Sequence, residues 1–183
     1  MRILVTGGSR GIGAEAVKLL QGHEVEAPSR AQLDMSSGGS VARYLAGRSA
    51  HNAVLFCHGT WYSLKPEKRG DYPIYHWTIQ YDLRVVMPMM MIDRWLIQGG
   101  LQSVVMISST RGFIGGVDTG PYSAACAAQI ALMQGYAREY PACRFNVICP
   151  GWTDTAMGKQ VLETGGVKIG VQLQSAELVA RVA

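Results

Sequence analysis

The chain has 183 residues, 48% of them hydrophobic and 16% charged, with a net charge of +4. That length buries one substantial core, and that balance excludes a disordered chain. No apolar run is long enough to cross a bilayer and no Lys/Arg cluster forms a nucleic-acid patch, so neither a membrane nor a nucleic acid is an expected partner.

Met1 leads directly into Ile3-Leu4-Val5, which reads as a buried strand, so neither a secretory nor a transit peptide is expected and the expected location is cytoplasmic. The strand runs into a glycine-rich turn, Thr6-Gly7-Gly8-Ser9-Arg10-Gly11-Ile12-Gly13. A helix follows over 12–20, with Ile12, Ala16, Leu19 and Leu20 on one face. A strand, three glycines and a helix N-terminus make a site for a dinucleotide pyrophosphate, because backbone N–H groups and the helix dipole both favour an anion there. Gly7 permits the turn, Gly11 the approach of a phosphate, and Gly13 close helix–strand contact.

Further along, strands are expected at 24–27, 33–35 (Leu33-Asp34-Met35), 52–57, 101–107 and 143–149. Helices are expected at 40–47, 75–97 and 122–139, and a last one over 175–183 with Ser175 as its N-cap. Residues 59–75 turn polar and read as a loop, where Lys65, Lys68 and Arg69 form a solvated group. The helix over 75–97 carries Ile79, Leu83, Val86, Met90 and Met91 on one broad face, and Pro88 inside it should kink it or remove one backbone hydrogen bond. The methionine-rich run 87–91 reads as core rather than as an adaptable binding surface. Cys57, Cys126, Cys143 and Cys149 lack metal-ligand spacing and read as free thiols. Alternating strands and helices predict an α/β chain: one domain over 1–183, a Rossmann-like doubly wound parallel sheet in a three-layer α/β/α sandwich.

Several residues together resemble the short-chain dehydrogenase/reductase family. They are the spacing Thr6-Gly7-x-x-x-Gly11-x-Gly13, Ser109 thirteen positions before Tyr122, and Asn146-Val-Ile-Cys-Pro150-Gly151-Trp-Thr153-Asp-Thr155. The resemblance implies a nicotinamide cofactor, a small-molecule carbonyl or alcohol substrate, and a homodimer or homotetramer. It also marks the chain as short. Residues 28–32 leave no room for the family's usual second helix, and the sequence stops at Ala183, before the family's final helix and strand are complete.

For the cofactor, the resemblance places the backbone of Gly7, Ser9, Arg10, Gly11, Ile12 and Gly13 on the pyrophosphate. The end of the second strand reads Ala27-Pro28-Ser29-Arg30, without the carboxylate that a ribose diol takes in the NAD-dependent members. Arg10 and Arg30 stand where a 2′-phosphate is selected, so NADP(H) is expected ahead of NAD(H). Asp34 and Met35 match the adenine contact, Cys57, His58 and Gly59 the segment beside the adenosine ribose, and Pro150, Gly151, Thr153 and Thr155 the nicotinamide end.

The family's chemistry uses a serine, a tyrosine, a lysine four residues after the tyrosine, and an asparagine in the preceding long helix. A phenol titrating near ~10 donates and accepts protons better when a cation favours its ionised form. Ser109 and Tyr122 are present, but Cys126 stands at the lysine position and Asp82 at the asparagine position. Neither brings a positive charge. Arg111 is a candidate replacement cation, although a solvated loop arginine is the simpler reading. Two functions follow: an NADP(H)-dependent oxidoreductase interconverting a carbonyl and a secondary alcohol, or a catalytically impaired NADP(H)-binding sensor or partner protein. Trp61, Phe113 and Trp152 are candidate walls of an apolar substrate pocket, and the glycines at 165, 166 and 170 suggest a mobile lid over 156–171.

Overall fold

The structure is a computed structural model and describes residues 1–60, 72–117, 119–164 and 172–183. The solvated loop group, Trp61 and the glycines of the expected lid lie outside the described residues.

Five strands, β1 (Arg2–Thr6), β2 (Glu24–Glu26), β3 (Ala53–Phe56), β4 (Ser103–Ile107) and β5 (Arg144–Ile148), form one parallel sheet in the order β2-β1-β3-β4-β5. Strand alternation sorts side chains between its faces. Ile3, Val5 and Leu55 face helix α1 (Gly11–Leu19) and the last helix, α7 (Ala176–Val182), through Ala16 and Ala180. Leu4, Val54, Phe56, Val104 and Met106 face the other layer, built from α2 (Gly38–Leu45), α4 (Met87–Gln98) and α5 (Gly120–Glu139). Trp95, Met91, Ile92 and Met133 fill that side and are fully buried, or nearly so. This is the doubly wound three-layer sandwich expected. Among the described residues no helix is long and apolar enough to cross a membrane.

Three local expectations change. Leu33-Asp34-Met35 is not a strand but a turn leading into α2. Leu33 and Met35 are buried on either side of a more accessible Asp34, a strand-like alternation produced by a turn packed onto the core. Leu19 stays 39% exposed although Ile12, Ala16 and Leu20 pack on the sheet. The long helix is not one α-helix. It runs as α3 (Ile74–Tyr81), a π turn (Asp82–Val86) and α4, with Pro88 in the first turn of α4. A proline lacks the N–H of a regular helix interior, and wider π bonding just before it accommodates the loss. The expected disturbance is real, but it lies N-terminal to the proline, and it puts residues 82–86 in a register that α-helical periodicity does not predict.

A short parallel pair, β6 (Thr153–Asp154) and β7 (Gln174–Ser175), and helix α6 (Ala156–Thr164) follow β5. Ser175 caps α7, its Oγ accepting the Leu178 N–H at 3.0 Å.

Candidate functional site

Strand order reverses between β1 and β3, and a crevice of this kind opens at the C-terminal ends of such strands. Here it is a cavity of about 700 Å3. The turn after β1 forms its floor. Gly7 has φ +70° and would place a Cβ 2.7 Å from the His58 nitrogen, so a side chain there would collide with the loop after β3. Gly11 has φ +57° and lies against Thr155. Arg10 occupies the N-cap of α1 without a side-chain cap bond, which leaves the helix's leading N–H groups for an outside acceptor. That arrangement fits the pyrophosphate of a dinucleotide. Gly13 does not line the cavity. It lies beneath the turn, where an added Cβ would sit 2.3 Å from the Gly7 oxygen.

Ser9, Arg10, Ile12, Arg30, Asp34, Met35, Cys57, His58 and Gly59 all line one side of the cavity. Arg30 is drawn to Asp34 (Nε–Oδ2 3.2 Å), and Asp34 also accepts the Ser36 N–H at 2.9 Å and its hydroxyl at 2.6 Å. Burial pushes the Asp34 carboxyl up, but the bonds from Ser36 and Arg30 outweigh it and hold the group below its ordinary value. The carboxylate thus builds the turn and borders the cavity at once. Burial pushes the Cys57 thiol up to about 12, so it stays protonated.

His58 is fixed at both ring nitrogens. Nε2 lies 2.7 Å from the Leu83 carbonyl oxygen, which only accepts, so Nε2 carries the proton and donates. Nδ1 then accepts the Thr6 hydroxyl at 2.6 Å. Burial pushes the imidazole down to about 4, leaving it neutral. A neutral ring with both nitrogens committed is a structural strut between β1, the loop after β3 and the π turn, not a free base.

At the opposite end, Ser109, Tyr122, Pro150, Gly151, Trp152, Thr153 and Thr155 line the cavity. Ser109 and Tyr122 are brought together on this wall, where Ser109 favours the ionised form of the phenol. Ser109 Oγ also accepts the Arg111 N–H at 3.2 Å, which orients it. Thr153 donates to the Gly151 carbonyl at 3.2 Å, and Thr155 accepts the Gly158 N–H at 3.0 Å, so both already serve their own loop. The Arg111 guanidinium reaches the Gly115 carbonyl at 3.5 Å and stays with its loop. Of the expected aromatic walls, Trp152 lines the cavity, whereas Phe113 points away and is 69% exposed. Ile114 and Val117 border the cavity in its stead.

Asp82 and Cys126 do not line the cavity. Cys126 is fully buried under Gly112 and opposes ionisation of the Tyr122 phenol. The residue that sequence reasoning missed is Arg84. It is carried on the π turn, is only 4% exposed and lines the cavity. Its Nε donates to Gln80 Oε1 at 3.1 Å, and its Cζ lies 4.5 Å from the centre of the Tyr122 ring. Gly59 makes room for it, since a Cβ there would stand 3.0 Å from Arg84 Nη2. The signal available was a charged residue inside an otherwise apolar stretch between Leu83 and Val85. Burial pushes the Tyr122 phenol above its ordinary value, Arg84 opposes that, and Cys126 adds to it.

Residues 82–165 match the family model of the short chain dehydrogenases. A C alpha-dehydrogenase of Sphingobium sp. (strain NBRC 103272 / SYK-6) is 38% identical over 76 residues, which is 40% of this chain and 25% of that relative. The fold matches a crystal structure of a small-chain dehydrogenase in complex with NADPH, at a TM-score of 0.81 and 23% identity, over 100% of this chain and 88% of that one. It also matches a short chain dehydrogenase from Burkholderia cenocepacia J2315 in complex with NADP, at a TM-score of 0.79 and 21% identity, over 99% of this chain and 87% of that one. The parallel sheet with its glycine turn, and Ser109 beside Tyr122, define a dinucleotide-binding α/β protein. Residues 82–165 carry the short chain dehydrogenase pattern, and the fold is that of solved short-chain dehydrogenases.

Proposed function

We propose that the chain is an NADP(H)-dependent oxidoreductase that interconverts a carbonyl and a secondary alcohol on a small molecule. The observation that carries this reading is the pairing of Ser109 and Tyr122 on the wall of the same cavity that holds the uncapped N-terminus of α1. A nicotinamide cofactor bound along the cavity supplies or takes up the hydride. The Ser109 hydroxyl is placed to hold the substrate oxygen. In reduction, the Tyr122 phenol gives its proton to that oxygen as the alkoxide forms. In oxidation, the phenolate takes the proton back. Arg10 and Arg30 on the cavity wall support NADP(H) over NAD(H), because two guanidinium groups suit a phosphate.

The test pairs NADPH binding, read by fluorescence, with NADPH consumption over a panel of carbonyl compounds. The native chain is expected to bind and turn over, and Tyr122→Phe to bind equally while losing about 100-fold or more in rate. A second reading, a cofactor-binding sensor or partner protein, is favoured by the buried thiol at position 126 where the family has a lysine. NADPH binding with no turnover across the panel would establish that reading in place of the first.

A further inference from the structure

A buried guanidinium needs a counter-charge, because burial of an uncompensated ion is unfavourable. Among the described residues no carboxylate forms an ion pair with Arg84. Its hydrogen-bond partner is the neutral amide of Gln80, and its Cζ lies over the Tyr122 ring. The position is built from several directions. His58 bonds the Leu83 carbonyl, the π turn displaces residue 84 from α-helical register, Gln80 holds Nε, and Gly59 leaves space beside Nη2.

We propose that Arg84 is the positive charge against which Tyr122 ionises, supplied from the π turn in place of a lysine on the tyrosine's own helix. The proposal deepens the oxidoreductase reading and rests on it for its functional meaning. A cation over an aromatic face is attracted by the ring quadrupole when the phenol is neutral. When the phenol is ionised, its negative charge spreads into the ring and the attraction gains a full Coulomb component. Arg84 therefore favours the phenolate over the phenol. Arginine keeps its charge throughout the working pH range, so it steadies the tyrosine without competing for its proton. The other groups facing the phenol are Ser109, which favours the ionised form, and Cys126, which opposes it. His58, beyond the guanidinium, is neutral and does not compete.

The test is an absorbance titration of the chain without cofactor, carrying a ring-fluorinated tyrosine in place of Tyr122 so that the phenol titrates near neutrality. Arg84→Met, which keeps an apolar stem and removes the charge, is expected to raise the midpoint by about one to three pH units. Arg84→Lys is expected to restore most of the difference. In the oxidation direction the same shift appears as an alkaline displacement of the kcat/KM profile, with the loss in rate fading at high pH. An unchanged midpoint in a folded Arg84→Met protein overturns the proposal and leaves Arg84 as a group packed on a neutral ring. If Arg84→Met does not fold, the Arg84→Lys midpoint set against that of Arg84→Gln decides the question in the same way. The titration needs no turnover. A shifted midpoint in a chain that reduces no carbonyl therefore upholds the role of Arg84 while overturning the oxidoreductase reading.

Discussion

The same substitution, glycine to alanine inside a helix, should change stability with opposite signs at two positions of this chain. At Gly13 a new Cβ would lie 2.3 Å from the Gly7 oxygen, 2.9 Å from the Gly7 carbonyl carbon and 3.1 Å from Cys57 Cβ. An ordinary carbon–oxygen contact is about 3.3 Å, so α1 or the turn must retreat by about 1 Å. The obstacle is backbone anchored to β1, which is paired on both sides, so no flexible side-chain tip can give way. Overpacking of this kind costs about 1–3 kcal/mol, more than the ~1 kcal/mol or less that alanine gains in helix propensity. At Gly135, in the interior of α5, nothing lies within 4 Å of the added atom. Only the propensity gain remains there, about 0.5–1 kcal/mol. Net of the propensity gain the loss is up to ~2.5 kcal/mol, so at about 2–4 °C per kcal/mol for a chain of this size Gly13→Ala should lower Tm by up to about 10 °C and Gly135→Ala should raise it by about 1–4 °C. Thermal melts followed by circular dichroism measure both. Gly13→Ala should also weaken NADPH binding, because the displaced turn carries the N–H groups that face the anion. A Gly13→Ala protein as stable as the parent and with the same NADPH affinity would refute the close-contact argument.

Three other outcomes follow from the same structure. Burial lowers the His58 pKa from 6.5 to about 4, so the unfolded chain binds more protons than the folded one between those values. Stability should fall as pH drops through that window, by up to ~1.4 kcal/mol per pH unit from this group. His58→Asn should flatten the slope in denaturant melts run between pH 4 and pH 6.5, and an equal slope would dismiss the strut. Away from the cavity, Glu26 accepts from Tyr44 at 2.7 Å, Arg48 at 2.7 Å, His51 at 3.0 Å and Arg2 at 3.4 Å. Glu26→Gln removes the charge those donors share and should lower stability by about 1–3 kcal/mol in urea melts, with a smaller loss at high salt. Finally, Arg10→Ala combined with Arg30→Ala should weaken NADPH binding by about ten- to a hundredfold while sparing NADH. Equal losses for both cofactors would show that neither arginine reads the 2′-phosphate.

Much of the site was legible because its signals are local or periodic. A strand, a Gly-x-x-x-Gly-x-Gly turn and a helix sit within the first twenty residues, and their geometry follows from neighbours in sequence. The spacing from Ser109 to Tyr122 was readable as a family pattern, and the two side chains do meet, one at the end of β4 and one in the first turns of α5. The apolar faces of α1 and of the long helix were readable as well, apart from Leu19. Misreadings came where burial pattern and backbone pairing part company. Leu33 and Met35 alternate around Asp34 like strand residues, yet a strand needs a neighbour to take its N–H and C=O groups, and here the chain turns away after β2.

By itself the sequence determined the alternation of strands and helices, the glycine turn, and which side chains stand at the C-terminal ends of the strands. What it did not determine is how charge reaches Tyr122. Position 126 lacks the cation, and in an α-helical count nothing marks Arg84 as its neighbour. Only the tertiary structure puts them together, through the π turn that precedes Pro88, the hydrogen bond that fixes the Leu83 carbonyl to His58, and the packing of that turn on α5. Local periodicity reports which way a side chain leaves its own helix. The contact between a guanidinium and a ring on another helix depends on the register and separation of two elements, and packing sets both.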